Sequence, residues 1–189
     1  MAKAIANFER TVVSRNSRFD QWAAGNASAM NDSEVRGFAI FLDAEKGNCA
    51  VCHSGANFTD NGFHNIGLAS FGNAEPDMGR YAEKPLKLMR GAFKTPTLRD
   101  IGLTAPYFHD GSAGTLAEVV RHYSQGGVVK TNLSPNMKTL DLTTEEESDL
   151  VAFLHALTSP PQTFALPVLP PDPSVVMERR IGGDALTAK

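Results

Sequence analysis

Cys49-Ala50-Val51-Cys52-His53 is the stretch of this chain whose residue types and spacing can do chemistry. Two thiols three positions apart, with a histidine directly after the second, make the C-x-x-C-H pattern by which c-type haem is attached. The thiols add across the two haem vinyl groups, and the histidine takes one axial position on the iron. No other cysteine occurs in the chain to compete for them. Two other chemistries use such a pair. A dithiol redox motif expects a βαβ context, which this sequence lacks, and it leaves the histidine unexplained. A structural zinc site needs four ligands at paired spacing, and no second Cys/His pair follows. Cys49, Cys52 and His53 are therefore expected to hold one covalent haem c.

With His53 on one face of the iron, the opposite face sets the function. A Met thioether there raises the reduction potential and makes an electron carrier, a Tyr phenolate favours ferric iron, and an open face admits peroxide or a gas. The candidates are Met78, Met89, Met137, Tyr123 and the remaining histidines. Met137 falls in the loop before the last expected helix, where it is either a ligand or a packing residue. Tyr123 falls on the inner face of an expected helix, as ligand or as core. His122 is turned about 100° from that face, and His155 lies off the apolar face of its own helix. Both histidines are expected at the surface or behind the ligands. Residue type and spacing leave Met137 and Tyr123 level.

The elements that must position these groups are legible as helices. Ile5, Phe8, Val12, Phe19 and Trp22 share one helical face over residues 4–24, with a break at Ser14 to Ser17 and Ser17 as N-cap of a second short helix. Trp22 reads as a core anchor rather than an electron relay. Asn31 with Glu34 is a capping pattern ahead of Val35, Phe38, Ala39 and Leu42, a stripe that runs into Gly47-Asn48-Cys49. Thr115 with Glu118 caps a helix carrying Leu116, Val119, Val120 and Tyr123 on one face, and Gly126-Gly127 ends it. The last helix begins at Thr143 or Thr144, shows Leu150, Phe153, Leu154 and Leu157, and stops at Ser159-Pro160-Pro161. Residues 54–104 are irregular and glycine-rich yet carry spaced apolar side chains, as expected of an ordered loop wrapped over a flat apolar cofactor. No strand pairing is expected. The predicted class is all-α, a cytochrome c-like haem domain with long ordered loops and a Pro-rich C-terminal strap. Its parts are a helical segment over 1–30 for interdomain packing, a haem domain over 31–159, and an extended tail over 160–189.

The chain has 189 residues and a net charge of −3 with no basic cluster, so nucleic acid is not an expected partner. No apolar run is long enough to span a bilayer. The opening residues show no secretory h-region, although c-type haem is attached outside the cytoplasm. The expected location is the periplasm, with the leader not present in this chain.

Several further phrases accompany the haem motif. Phe8-Glu9-Arg10-Thr11 stands with Asn16-Ser17-Arg18-Phe19-Asp20, and Cys52-His53-Ser54-Gly55 with Phe58-Thr59-Asp60. Then come Phe63-His64-Asn65-Ile66-Gly67, Asp77-Met78-Gly79-Arg80, Phe93-Lys94-Thr95-Pro96-Thr97-Leu98-Arg99, Thr104-Ala105-Pro106-Tyr107-Phe108-His109-Asp110-Gly111 and Asp149-Leu150-Val151-Ala152-Phe153-Leu154. In this order, over roughly residues 4–170, they resemble the C-terminal haem domain of the bacterial dihaem cytochrome c peroxidase and MauG family. The resemblance implies that Tyr123 is the distal iron ligand, with Met137 as runner-up, since the matching helix position holds a Met in the peroxidases and a Tyr in MauG-like proteins. It also implies a calcium ion held partly by the backbone carbonyls of Thr104 and Pro106. Arg99 and Arg80 become haem-propionate partners or ordinary exposed arginines, and His109 a polar group behind the haem pocket.

The family carries two haem motifs and this chain has one. The expected function is therefore an electron-transfer haem domain that relays electrons or oxidising equivalents to a peroxidatic haem on a second domain or protein. Hydrogen peroxide would be the substrate of the full system, and a small cytochrome or cupredoxin the donor. The alternatives are a stand-alone monohaem electron-transfer cytochrome and, below it, a small-molecule sensor with an open distal face.

Overall fold

In the computed structural model, residues 2–161 are described; the Pro-rich strap expected over 160–189 lies, from residue 162, outside the described residues. Helix dominates the regular structure: α1 Ala2–Glu9, α2 Arg18–Ala23, α3 Asp32–Leu42, α4 Leu116–Ser124 and α5 Thr144–Ala156. The starts of α2 to α5 are set by local chemistry. Ser17 with Asp20, Asn31 with Glu34, Thr115 with Glu118 and Thr143 with Glu146 each form a complete capping box, in which both side chains satisfy backbone N–H groups that the first turn leaves open.

The core lies between α3 and α5. Phe41, Phe153 and Leu157 are fully buried there. Phe153 meets the rings of Phe38 and Phe41 at 5.1 Å each and that of Phe19 at 5.8 Å. Such tilted aromatic contacts add about 0.5–1.5 kcal/mol each beyond the area they bury. Gly37 lets the helices close: a Cβ there would lie 1.9 Å from the carbonyl oxygen of Asp149. Beside it, the buried Asp149 carboxylate accepts from Arg36 Nε at 2.7 Å and Ser33 Oγ at 2.6 Å, tying α5 to α3. Phe19 and Trp22 of α2 pack against this cluster, with Trp22 5.7 Å from the Phe38 ring, as a core anchor should.

Two expectations need correction. The apolar face read over residues 4–24 divides: Phe19 and Trp22 join the core, but α1 buries nothing, and Ile5, Phe8 and Val12 are 53%, 40% and 47% exposed. Periodicity reports that a helix has an apolar face, not what covers it. Strand pairing also occurs. β1 (Phe63–His64) and β2 (Phe93–Lys94) form an antiparallel ladder with His64 opposite Phe93. Two residues per strand are too few to show alternation in a sequence.

The long irregular region is held by side chain-to-backbone hydrogen bonds. Thr59 Oγ1 donates to Thr95 O at 2.7 Å, Thr97 Oγ1 to Asn57 O at 2.6 Å and Asn65 Nδ2 to Arg90 O at 3.1 Å. Phe58, Leu68, Ala92 and Leu98 from this region are buried.

Several carboxyls sit below their ordinary range, among them Asp20, Asp60 and Asp149. For Asp149 the Arg36 hydrogen bond leads. For Asp20 and Asp60 burial pushes upward and is outweighed, by Arg99 and Ser17 in the first and by His64 and Gly62 in the second, which falls to about 2. A carboxyl with a depressed folded pKa contributes stability in full above its unfolded value of about 3.9 and loses it as pH falls through the folded value. The melting temperature is therefore expected to drop steadily below about pH 4. Circular-dichroism melts of the protein and of Asp149→Asn test this; a melting temperature flat between about pH 4 and 2 would contradict it.

Candidate haem site

A cavity of about 530 Å³ opens beside the core and gathers Cys49, Cys52, His53, Tyr123, Met137 and Phe108 in its wall. That volume is within the range of about 300–1,000 Å³ typical of cofactor sites. The motif reaches it through a tight turn at the end of α3. Gly47 N donates to Ile40 O at 3.1 Å and Asn48 N to Asp43 O at 2.8 Å. A Cβ at Gly47 would stand 2.4 Å from Ile40 O, so only glycine lets the chain fold back this closely. Asn48 then takes the left-handed conformation, and Cys49–Val51 form a 3₁₀ turn that brings both thiols and His53 to one wall.

His53 Nδ1 lies 2.9 Å from the carbonyl oxygen of Phe58. A carbonyl only accepts, so Nδ1 carries the proton and Nε2 keeps its lone pair for a metal, the tautomer expected of an axial ligand. Burial lowers the His53 pKa, against the opposing Phe58 hydrogen bond, and so favours the neutral ring that ligation requires. Phe58 presents that carbonyl from a left-handed backbone, φ 50°, with its own ring buried in the core.

Tyr123 projects from the last turn of α4. It lines the main cavity and also a smaller adjoining hollow of about 60 Å³, where Cys49 and His53 are its neighbours. Burial, and then the nearby Cys49 and Cys52 thiols, raise its pKa. Burial likewise pushes the Cys49 thiol up to about 12. The cavity by itself thus holds neutral thiols and a neutral phenol; the phenol can become an anionic donor only where a cation replaces its proton. Its hydroxyl makes no hydrogen bond among the described residues.

The other expected residues are distributed as follows. Met137 is half-buried and lines the cavity, whereas Met78 and Met89 do not. Arg99 lines it too, but its Nη1 donates to Asp20 Oδ1 at 2.6 Å and its Nε to Ala56 O at 2.9 Å. Arg80 is not among the lining residues; its guanidinium lies 4.7 Å from the centre of the Phe63 ring. His109 is exposed at the cavity wall and stacks on Phe93 at 3.5 Å. Thr104 and Pro106 line the same cavity and are exposed. Of the two histidines expected at the surface or behind the ligands, His155 is exposed. His122 is buried, with Nε2 2.9 Å from Ile66 O.

Sequence reasoning passed over Asp60 and His64. His64 lines the cavity, with Nε2 2.8 Å from Asp60 Oδ2 and Nδ1 3.2 Å from the buried Ser134 Oγ. The i,i+4 spacing of Asp and His just after the haem motif was the available signal. Ligand atoms of Cys52, Asp60 and His64 lie within 4.8 Å of one another. The trio is not a convincing cation site, because imidazole and carboxylate are already in hydrogen-bond contact and the motif claims Cys52. The donor set as a whole fits a haem: two thiols, a neutral imidazole with a free Nε2, and a flat apolar-walled space.

No family model matches the chain. It is 43% identical over 172 residues to the methylamine utilization protein MauG of Methylophilus methylotrophus, covering 90% of this chain and 50% of that protein. It is 38% identical over 169 residues to cytochrome c551 peroxidase of Nitrosomonas europaea, covering 89% and 47%. Among solved structures, a MauG-like protein associated with microbial copper homeostasis superposes with a TM-score of 0.76 at 33% identity, covering 82% of this chain and 52% of that one. The chain spans about half the length of these relatives. Its mostly helical fold, its haem motif and these matches together show strong homology to MauG and the bacterial dihaem cytochrome c peroxidases.

Proposed function

We propose that this chain is the electron-transfer haem c unit of a cytochrome c peroxidase or MauG-type oxidoreductase. The observation that carries the reading is the convergence of Cys49, Cys52, His53 and Tyr123 on one cavity, in a chain homologous to dihaem enzymes. The bound haem c supplies one-electron chemistry. Cys49 and Cys52 would hold it covalently. His53, kept neutral by burial and oriented by Phe58 O, would offer its Nε2 to the iron. Tyr123 would offer its phenol oxygen from α4, with Met137 as the runner-up. Arg99, Lys94 and Lys138, all in the cavity wall, supply positive charge for the propionates. His109 on Phe93 is a polar group at the same wall.

The working system needs a peroxide-reacting haem on a second domain or protein, a small cytochrome or cupredoxin as donor, and hydrogen peroxide as oxidant. Its location would be the periplasm. Thr104 and Pro106 would lend carbonyl oxygens to a calcium ion. Calcium takes six to eight oxygens, so that site requires further donors. Among the described residues no helix is long and apolar enough to cross a membrane.

The test is direct. Haem in the purified protein should resist extraction by acidified acetone, and Cys49→Ala/Cys52→Ala should release it entirely. Wild-type haem that extracts freely would defeat the proposal. The chain alone should reduce and reoxidise through its haem yet turn over peroxide only when a second haem domain is added. Sustained turnover by the chain alone would defeat the electron-transfer role.

A further inference from the structure

Asp60 is an exposed carboxylate just outside the cavity, held against two of its lining residues, Cys52 and His64. Its backbone N–H donates to Cys52 O at 2.7 Å, and its Oδ1 accepts from Gly62 N at 2.7 Å. Its Oδ2 accepts from His64 Nε2 at 2.8 Å, and the far side of that ring meets Ser134 Oγ at 3.2 Å. Its carboxylate thereby lies within 4.8 Å of Cys52 Sγ, the atom through which a haem substituent would be joined. Among the described residues no lysine or arginine pairs with it. Lys94 Nζ donates to Thr95 O, Lys138 Nζ to Ala44 O, and Arg99 is engaged by Asp20. With a neutral His64, whose Nε2–H is the donor and whose Nδ1 accepts from Ser134, the group carries one uncompensated negative charge.

We propose that Asp60, held in place by His64 and Ser134, is the anion that lowers the reduction potential of this haem site. This inference rests on the haem reading of the cavity. Oxidation removes one electron to the redox partner and leaves one more positive charge in the cavity. A fixed anion at the Cys52 edge stabilises that charge and so favours the oxidised form. Unit charges about 10 Å apart at an effective dielectric constant of about 20 interact strongly enough to change an equilibrium by roughly tenfold. Asp60 is the charged residue and His64 its positioning residue; neither needs to touch the iron.

The experiment is a mediator-equilibrated spectroelectrochemical titration of the holoprotein at about pH 8, above the ordinary histidine range. Covalent haem content and the ferric spectrum are recorded for every variant. Asp60→Asn keeps the shape and removes the charge, but its single amide oxygen can accept from only one of Gly62 N and His64 Nε2. It should shift the oxidised-to-reduced equilibrium about tenfold toward reduced, a rise of about 59 mV. Asp60→Glu keeps the charge and should stay within about threefold of wild type. His64→Ala leaves the carboxylate unanchored and should shift the equilibrium by a smaller amount in the same direction, which keeps the question answerable if Asp60→Asn fails to accumulate. An unchanged potential in Asp60→Asn or in His64→Ala, with haem content and spectrum intact, overturns the proposal. So does an equal shift in Asp60→Asn and Asp60→Glu, which would mark a packing effect. Absence of covalent haem from the wild type would overturn both this inference and the haem reading beneath it.

Discussion

Replacing Tyr123 with Phe is expected to change the ferric absorption spectrum and to raise the reduction potential, while Met137→Leu leaves both where they were. The two side chains share the cavity wall, but their settings differ. Tyr123 stands on α4, whose start is locked by the Thr115–Glu118 capping box, and it shares the smaller hollow with Cys49 and His53. Met137 sits in a loop, anchored through its amide to Ser134 O at 2.9 Å, and does not reach that hollow. A helix holds a donor at fixed distance better than a loop does, and rigid placement is what axial ligation needs. The phenol hydroxyl, which has no hydrogen bond among the described residues, supports the same choice.

An anionic oxygen donor stabilises ferric iron over ferrous. Losing it should move the equilibrium at least tenfold toward ferrous, a rise of about 59 mV or more. Phe fills nearly the same volume, so the haem should remain in place and the change can be read as ligation rather than collapse. Ferric and ferrous absorption and resonance Raman spectra of both variants decide the matter. If Met137→Leu alone removes a long-wavelength sulfur-to-iron charge-transfer band, Met137 is the ligand.

Gly37→Ala is expected to destabilise the protein severely. In isolation the substitution favours the helix, since Ala is better than Gly in a helix interior by about 1 kcal/mol. Here the new methyl would meet backbone: 1.9 Å from Asp149 O, 2.5 Å from Asp149 C and 2.9 Å from Phe153 Cβ. A carbonyl inside α5 cannot rotate away as a side-chain tip could, so the helices must separate. Separation would loosen the Phe38, Phe41 and Phe153 contacts together and lengthen the hydrogen bonds from Arg36 and Ser33 to Asp149. Overpacking of a tight core costs about 1–3 kcal/mol and occasionally more. With the whole α3–α5 seam affected, the upper end applies and outweighs the propensity gain. Net of that gain the cost is about 2 kcal/mol, so at about 2–4 °C per kcal/mol for a chain of this size the melting temperature should fall by roughly 4–8 °C. Thermal melts of the holoprotein check this; a melting temperature equal to or above wild type would show that the seam is looser than the geometry implies.

Much of the site's local architecture was legible in the residues themselves. C-x-x-C-H is a chemical pattern whose meaning lies in spacing, and each of the four capping boxes is settled within three residues. The stripe of α4 placed Tyr123 inward, and the structure agrees. Which apolar faces find a partner was not legible in the same way. Ile5, Phe8 and Val12 are as regularly spaced as Phe19 and Trp22, yet the former are exposed. His122 is buried although it is turned from the apolar stripe, because Ile66 O from a distant loop supplies its hydrogen bond.

The sequence alone therefore determined the haem motif, the positions of α2 to α5 and a short set of distal candidates, since covalent pattern, capping and helical periodicity act over a few neighbouring residues. Tertiary structure alone decided that Gly37 is where α3 and α5 meet, that Phe58 O orients His53, that Arg99 is engaged by Asp20, and that Asp60 and His64 stand beside Cys52. Each of those is a contact between segments brought together by burial of the shared core, and no local pattern encodes which partner burial will supply.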